Sequence, residues 1–172
     1  MIERIRDLGP VVLVPAAWIA TLAAVLDVLG SDGMAIAHGV MLAFISFFLL
    51  TGYQSMGEGA LRAWRAVMIL GLPVTAAGFV GFFVSSGATA LFSVSLVGWM
   101  LLPAAGLAYT AGEIPDARLI YAGSALISVL GAVGTLAFIA GMDDLFAVAG
   151  IALVAIGHTV GIAEASIRDQ SR

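Results

Sequence analysis

The chain has no cysteine and no lysine, only two histidines, and charged side chains make up just 10% of its 172 residues. Without cysteine there are no disulfides and no thiolate metal sites, so nothing ties the protein to an oxidising or a reducing compartment. With two histidines and no lysine, few groups remain from which a conventional catalytic site is assembled. A soluble domain is also missing, because the longest polar stretch, residues 54–65, is about a dozen residues. What fills the chain instead is apolar: 62% hydrophobic residues and a mean hydropathy of +1.12, far beyond a soluble globular domain. This is the composition of a membrane protein.

The seven arginines and eleven acidic residues are grouped, and the charge-free intervals between them measure the spans. Residues 8–26 give 19, 33–57 give 25, 66–112 give 47, 119–142 give 24 and 145–163 give 19. A spanning helix needs about 20 apolar residues. Four intervals therefore hold one span each, and the longest holds two around a turn at Ser85, Ser86 and Gly87. None alternates with the period of two that marks a membrane barrel strand. The expectation is an all-α bundle of six transmembrane helices, arranged as three hairpins in one integral membrane domain over 1–172. Its spans are expected near 9–29, 34–53, 66–84, 89–110, 118–140 and 145–164.

Arginine placement checks the count independently. Arg4 and Arg6 precede span one, Arg62 and Arg65 lie between two and three, Arg118 between four and five, and Arg168 and Arg172 after six. The three alternate connections carry none. An even number of crossings puts all seven on one side, and the positive-inside rule makes that side cytoplasmic, with both termini there, in a multi-pass protein of the cell membrane. The first stretch reads as a retained anchor, since its apolar run exceeds a signal-peptide core and its preceding segment has no net charge.

Within the spans, small residues supply close-packing faces: Gly157 with Gly161, Ser124 with Ser128, Ala16 with Ala20. Pro15, Pro73 and Pro103 are expected to kink or loosen their helices. Residues 54–65, with Gln54, Glu58, Arg62 and Arg65 spaced around Met56, Leu61 and Trp64, read as a solvated loop or a short amphipathic helix with Trp64 at headgroup depth. Gly30, Asp32 and Gly39 align with Gly141, Asp143 and Gly150 at identical offsets, which suggests a repeated hairpin, although glycine and aspartate mark turns in any case.

Ionisable residues inside the hydrocarbon are the default functional candidates. They are Asp27, His38 and His158. Asp27 and His38 flank the first outer turn at depths about 3 Å apart, which allows an Asp27–His38 contact that fixes the imidazole tautomer and leaves its other nitrogen free for a metal, or else a structural hydrogen bond closing the hairpin. Met34, His38 and Met41 share one helix face, where thioethers beside an imidazole suit Cu(I) but also serve as ordinary core filler. His158, inside the Gly157–Gly161 seam and roughly 13 Å from His38 along the membrane normal, reads as a packed histidine hydrogen-bonded to Thr159, Tyr53, Tyr109 or Tyr121.

The segment Ala37-His38-Gly39-Val40-Met41-Leu42-Ala43-Phe44, followed by Leu50-Thr51-Gly52-Tyr53, resembles the second transmembrane helix of haem-copper oxidase subunit I, and more closely the short subunit-I-like proteins. Residues 62–109 are loosely similar to the next two helices, so the resemblance covers about 100 residues, with His38 and its neighbours its specific part. It implies that His38 is an axial ligand of haem iron, or that the chain keeps only the fold; in the first case the Asp27 contact allowed by the turn would support the ligand, and purified protein would carry a Soret band that vanishes in His38→Ala and survives His158→Ala. The chain departs from the large enzymes in lacking their further histidines. Oxygen reduction by this chain alone is thereby excluded, and the chain is not expected to be an enzyme on its own.

Two other readings stand beside haem binding. One is an accessory subunit in a membrane complex. The other is a small six-helix transporter or channel, supported by Ser93, Ser95, Ser124, Ser128 and Thr135 within spans but by no mid-bilayer charge. Net charge −4 and arginine to the exclusion of lysine resemble a halophilic composition and give nucleic-acid binding no support. The expected partners are the lipid bilayer and other membrane proteins or further copies of the chain.

Overall fold

The computed structural model describes the backbone of residues 2–170 and the side chains of residues 9–168. Its six helices are α1 (Ile2–Val25), α2 (Ser31–Gly52), α3 (Gly59–Gly81), α4 (Ala88–Glu113), α5 (Arg118–Ile139) and α6 (Leu145–Gln170), with a 3₁₀ turn, Pro115–Ala117, leading into α5. Helices α2 to α6 are each long and apolar enough to cross a membrane, and α1 adds the apolar stretch Gly9–Val25. The expected all-helical bundle of three hairpins is the observed architecture.

The helices run past the expected spans where charge begins. α3 starts at Gly59 instead of 66, and α6 continues to Gln170 instead of 164. Hydropathy marks where lipid ends, whereas a helix persists as long as its i→i−4 ladder does. Residues 59–65 are therefore the first turns of α3 and form no separate interfacial helix. Trp64 packs against Gly106 on α4 and donates its indole N–H to Thr110 Oγ1 at 3.2 Å, so its polar edge is used in the α3–α4 contact. The continuous assignment of α1, α3 and α4 through Pro15, Pro73 and Pro103 shows that proline loosens these helices without ending them.

α1 ends earlier than expected, at Val25, for a local reason. Asp27 takes a left-handed φ of 56°, the Val28 N–H reaches back to the Ala23 carbonyl at 2.8 Å, and the Asp27 N–H bonds the Ala24 carbonyl at 3.2 Å. That is a Schellman cap, which stops the helix by consuming its last free carbonyls. Gly141, φ 95°, does the same for α5, with Met142 N–H on Ala137 O and Gly141 N–H on Phe138 O. The turns after α1 and α5 thus correspond at Asp27 and Gly141, three residues out of step with the repeat suggested by Gly30 and Gly141.

Each helix packs on its neighbours in chain order, and α6 returns to α1, closing a ring in which α4 also touches α6. Because lipid is as apolar as leucine, close backbone approach must hold the ring together. On α5 the facing positions are Ser124, Ser128, Gly131 and Thr135; on α6 they are Gly150, Val154 and Gly157, while Gly161 meets Leu107 of α4. Both sets follow a 3-4 spacing, the pattern of helices crossing at shallow angles. The seam is backbone-tight: a Cβ on Gly131 would lie 2.5 Å from the Gly150 carbonyl. α3 and α4 repeat the device, with Gly71 against Trp99, Gly78 against Ser95, Gly81 against Phe92 and Gly98 against Val74.

Trp18, Met100, Ala132, Ile151 and Val154, from α1, α4, α5 and α6, form the main core. A second cluster, Leu107, Ala111, Ala117, Tyr121 and Ala125, fills the arginine-bearing end. α2 is the least buried of the five long apolar helices and packs only on α1 and α3.

Candidate functional site

His38 sits on the face of α2 turned toward α3. Its Nδ1 lies 2.9 Å from the Met34 carbonyl one turn earlier; a carbonyl only accepts, so Nδ1 carries the proton and Nε2 keeps its lone pair. The partner that orients the ring is therefore Met34, not Asp27. Asp27 is exposed in the turn it caps, and no hydrogen bond joins it to His38 among the described residues. In place of the expected Asp27–His38 pairing, the imidazole is held by a bond within α2.

Nε2 is aimed into a notch on α3. It lies 2.7 Å from the point where a Cβ on Gly78 would stand, and Ser95 Oγ of α4 lies 2.5 Å from that same point. The edge of Phe82 closes the side, with ring centroids 5.3 Å apart and planes at 67°. The tautomer is the one that a haem ligand requires. In this packing Nε2 is occupied by the contact with Gly78 of α3 and Ser95 of α4.

His158 is 2% exposed, facing α1 and α4. Trp18 donates its indole N–H to Nδ1 at 3.2 Å, with the rings 5.5 Å apart and tilted by 56°. Nδ1 is thus the acceptor, and the neutral ring carries its proton on Nε2. The Met100 backbone lies beside the ring, but no hydrogen bond of ordinary geometry satisfies Nε2. His158 is a packed, hydrogen-bonded histidine, as expected, but its partner is Trp18 in place of Thr159, Tyr53, Tyr109 or Tyr121. Trp18 lies 140 positions away, and nothing local in the sequence connects them. The two histidines face different positions along α4, and the described residues contain no group of three or more histidines, aspartates or glutamates placed to hold a metal ion.

A pattern that residue-by-residue reading missed joins all three tryptophans. Trp99 on α4 donates to Thr75 Oγ1 on α3 at 2.8 Å, and Trp64 on α3 donates to Thr110 Oγ1 on α4. Both threonines spend their own protons on the carbonyl four residues back, Gly71 and Gly106, at 2.8 Å. Each hydroxyl is then an acceptor, and each indole links two helices. Indole N–H groups in a bilayer need a partner; the threonine one turn beyond a glycine was the available signal.

The serines and threonines that a transport pathway would use lie in the seams. Ser128 Oγ bonds the Ser124 carbonyl at 2.8 Å, and Ser124, Ser128 and Thr135 are buried beside the contact that Gly131 makes with Gly150. Tyr121, Ser124 and Thr135 hydroxyls lack partners in this packing. At the arginine end, Arg168 Nε meets Glu164 Oε1 at 2.6 Å and Arg65 lies over the Tyr53 ring at 4.9 Å. The side chains of Arg4, Arg6 and Arg172, part of the expected one-sided set, lie outside the described residues.

The fold and these contacts define a polytopic helical membrane bundle. The chain matches no protein-family model, no curated protein and no solved structure.

Proposed function

We propose that the chain is an accessory subunit of a membrane complex, a rigid six-helix body whose working part is its outer surface. One observation carries this reading: the intramembrane groups capable of chemistry are directed into helix–helix contacts. His38 is seated in the Gly78 notch, His158 and the tryptophans link helices, and the hydroxyl-bearing face of α5 abuts the α6 backbone. Such a body supplies contacts and lipid order to a partner without binding a cofactor of its own.

The test is purification in mild detergent from haem-replete cells. We expect a preparation without a Soret band that migrates on native electrophoresis with a second membrane polypeptide at fixed stoichiometry. A Soret band lost in His38→Ala and kept in His158→Ala would replace this reading with haem binding through His38. Solute flux through proteoliposomes containing the chain alone would replace it with transport.

A further inference from the structure

A groove of about 430 Å³ runs along the lipid-facing side of the α3–α4 hairpin, away from both histidines. Arg62 and Tyr109 stand at its end nearest the termini, Ala66 and Gly106 lie along it, and Leu70 and Leu102 close it. From Arg62 to Leu70 is eight residues, about 12 Å of helix, so the groove extends from one membrane interface to near the middle of the hydrocarbon, the depth of a single leaflet. It is shallow-walled because alanine and glycine stand where longer side chains would fill it. Its walls are otherwise apolar.

The polar mouth is what selects an occupant. Among the described residues, the Arg62 guanidinium and the Tyr109 hydroxyl have no ion pair or hydrogen bond within the chain. This sets Arg62 apart from Arg65, which lies over Tyr53, and from Arg168, which is paired with Glu164. A guanidinium held at headgroup depth offers a planar fork matched to phosphate oxygens, and a tyrosine at the same level belongs to the aromatic belt. An apolar slot one leaflet deep beneath an unpaired arginine is complementary to a lipid with an anionic head and an extended acyl chain.

We propose that this groove is a binding site for an anionic phospholipid, its phosphate on Arg62 and Tyr109 and one acyl chain lying over Ala66 and Gly106. The test uses native mass spectrometry of detergent-purified protein titrated with dioleoylphosphatidylglycerol or dioleoylphosphatidylcholine. The wild type should retain the glycerol lipid about fivefold more strongly, the effect of one arginine at an anionic surface. Arg62→Gln should lose that preference, and Arg65→Gln should keep it. Ala66→Phe, which fills the slot and leaves the charge, should reduce retention of both lipids. Millimolar inorganic phosphate should not displace the lipid, since it lacks the chain. Equal retention of the two lipids by wild type, a preference that survives Arg62→Gln, or displacement by phosphate would overturn the proposal. Helicity by circular dichroism confirms that each variant is folded, and none of these outcomes depends on whether the chain is an accessory subunit.

Discussion

At the scale of single residues, the two histidines differ in tautomer because their partners differ. A carbonyl on His38 Nδ1 leaves a lone pair on Nε2, while an indole N–H on His158 Nδ1 leaves a proton there. Intramembrane hydrogen bonds average about 0.6 kcal/mol and reach about 1.7 kcal/mol, and stranding a buried partner adds to the loss. Trp18→Phe and His158→Phe should therefore each destabilise the bundle by about 1–2 kcal/mol in reversible unfolding from mixed micelles. The double variant should cost less than the two together, because no partner is left stranded; strict additivity would mean that the pair does not interact. Asp27 gives the opposite sign. Its left-handed φ disfavours any residue with a Cβ by about 1–2 kcal/mol, so Asp27→Gly should be neutral to stabilising in the same measurement, and a clear loss would restore a side-chain role toward His38. That His38 and His158 lie within membrane-length helices was readable from the sequence, whereas Asp27 falls in the turn beyond the end of α1. The partners of the two histidines were not readable, since the Met34 carbonyl is backbone and Trp18 is distant in the chain.

Among the elements, glycine divides into positions that carry contact and positions that do not. A Cβ on Gly150 would lie 2.6 Å from the Gly131 carbonyl and 2.5 Å from Thr135 Oγ1, whereas Gly123 of α5 has nothing within 4 Å. Gly150→Leu should thus force α5 and α6 apart at a cost of about 1–3 kcal/mol or more, while Gly123→Leu should leave stability unchanged or raise it through helix propensity. Steric-trap unfolding in bicelles reads both, and equal effects would contradict the seam. The existence, number and hairpin pairing of the helices followed from the charge-free intervals and the turn at Ser85, Ser86 and Gly87, because bilayer thickness fixes span length. The start of α3 at Gly59 and the far end of α6 did not, because polar turns continue a helix beyond the lipid without a hydropathic sign. The Gly157–Gly161 face was readable as a seam. That Gly131 and Gly150 make the tight contact depends on how the helices rotate against each other, which spacing leaves open.

For the molecule as a whole, the large apolar side chains left exposed, such as Leu50 at 86% and Leu119 at 89%, belong against lipid, and the interior is held by small residues and indole bridges. We expect six crossings, which put the described arginines, Arg62, Arg65, Arg118 and Arg168, at one end of the bundle. The absence of native cysteine makes the sidedness of the turns directly measurable. Single cysteines at exposed positions of successive turns, Gln54→Cys and Ser86→Cys, can be probed in intact cells with a membrane-impermeant maleimide. We expect Ser86→Cys to be labelled from outside and Gln54→Cys only after permeabilisation. Labelling of both positions from one side would contradict the crossing of α3, and labelling of Gln54→Cys from outside would contradict the placement of the arginine-bearing end in the cell interior.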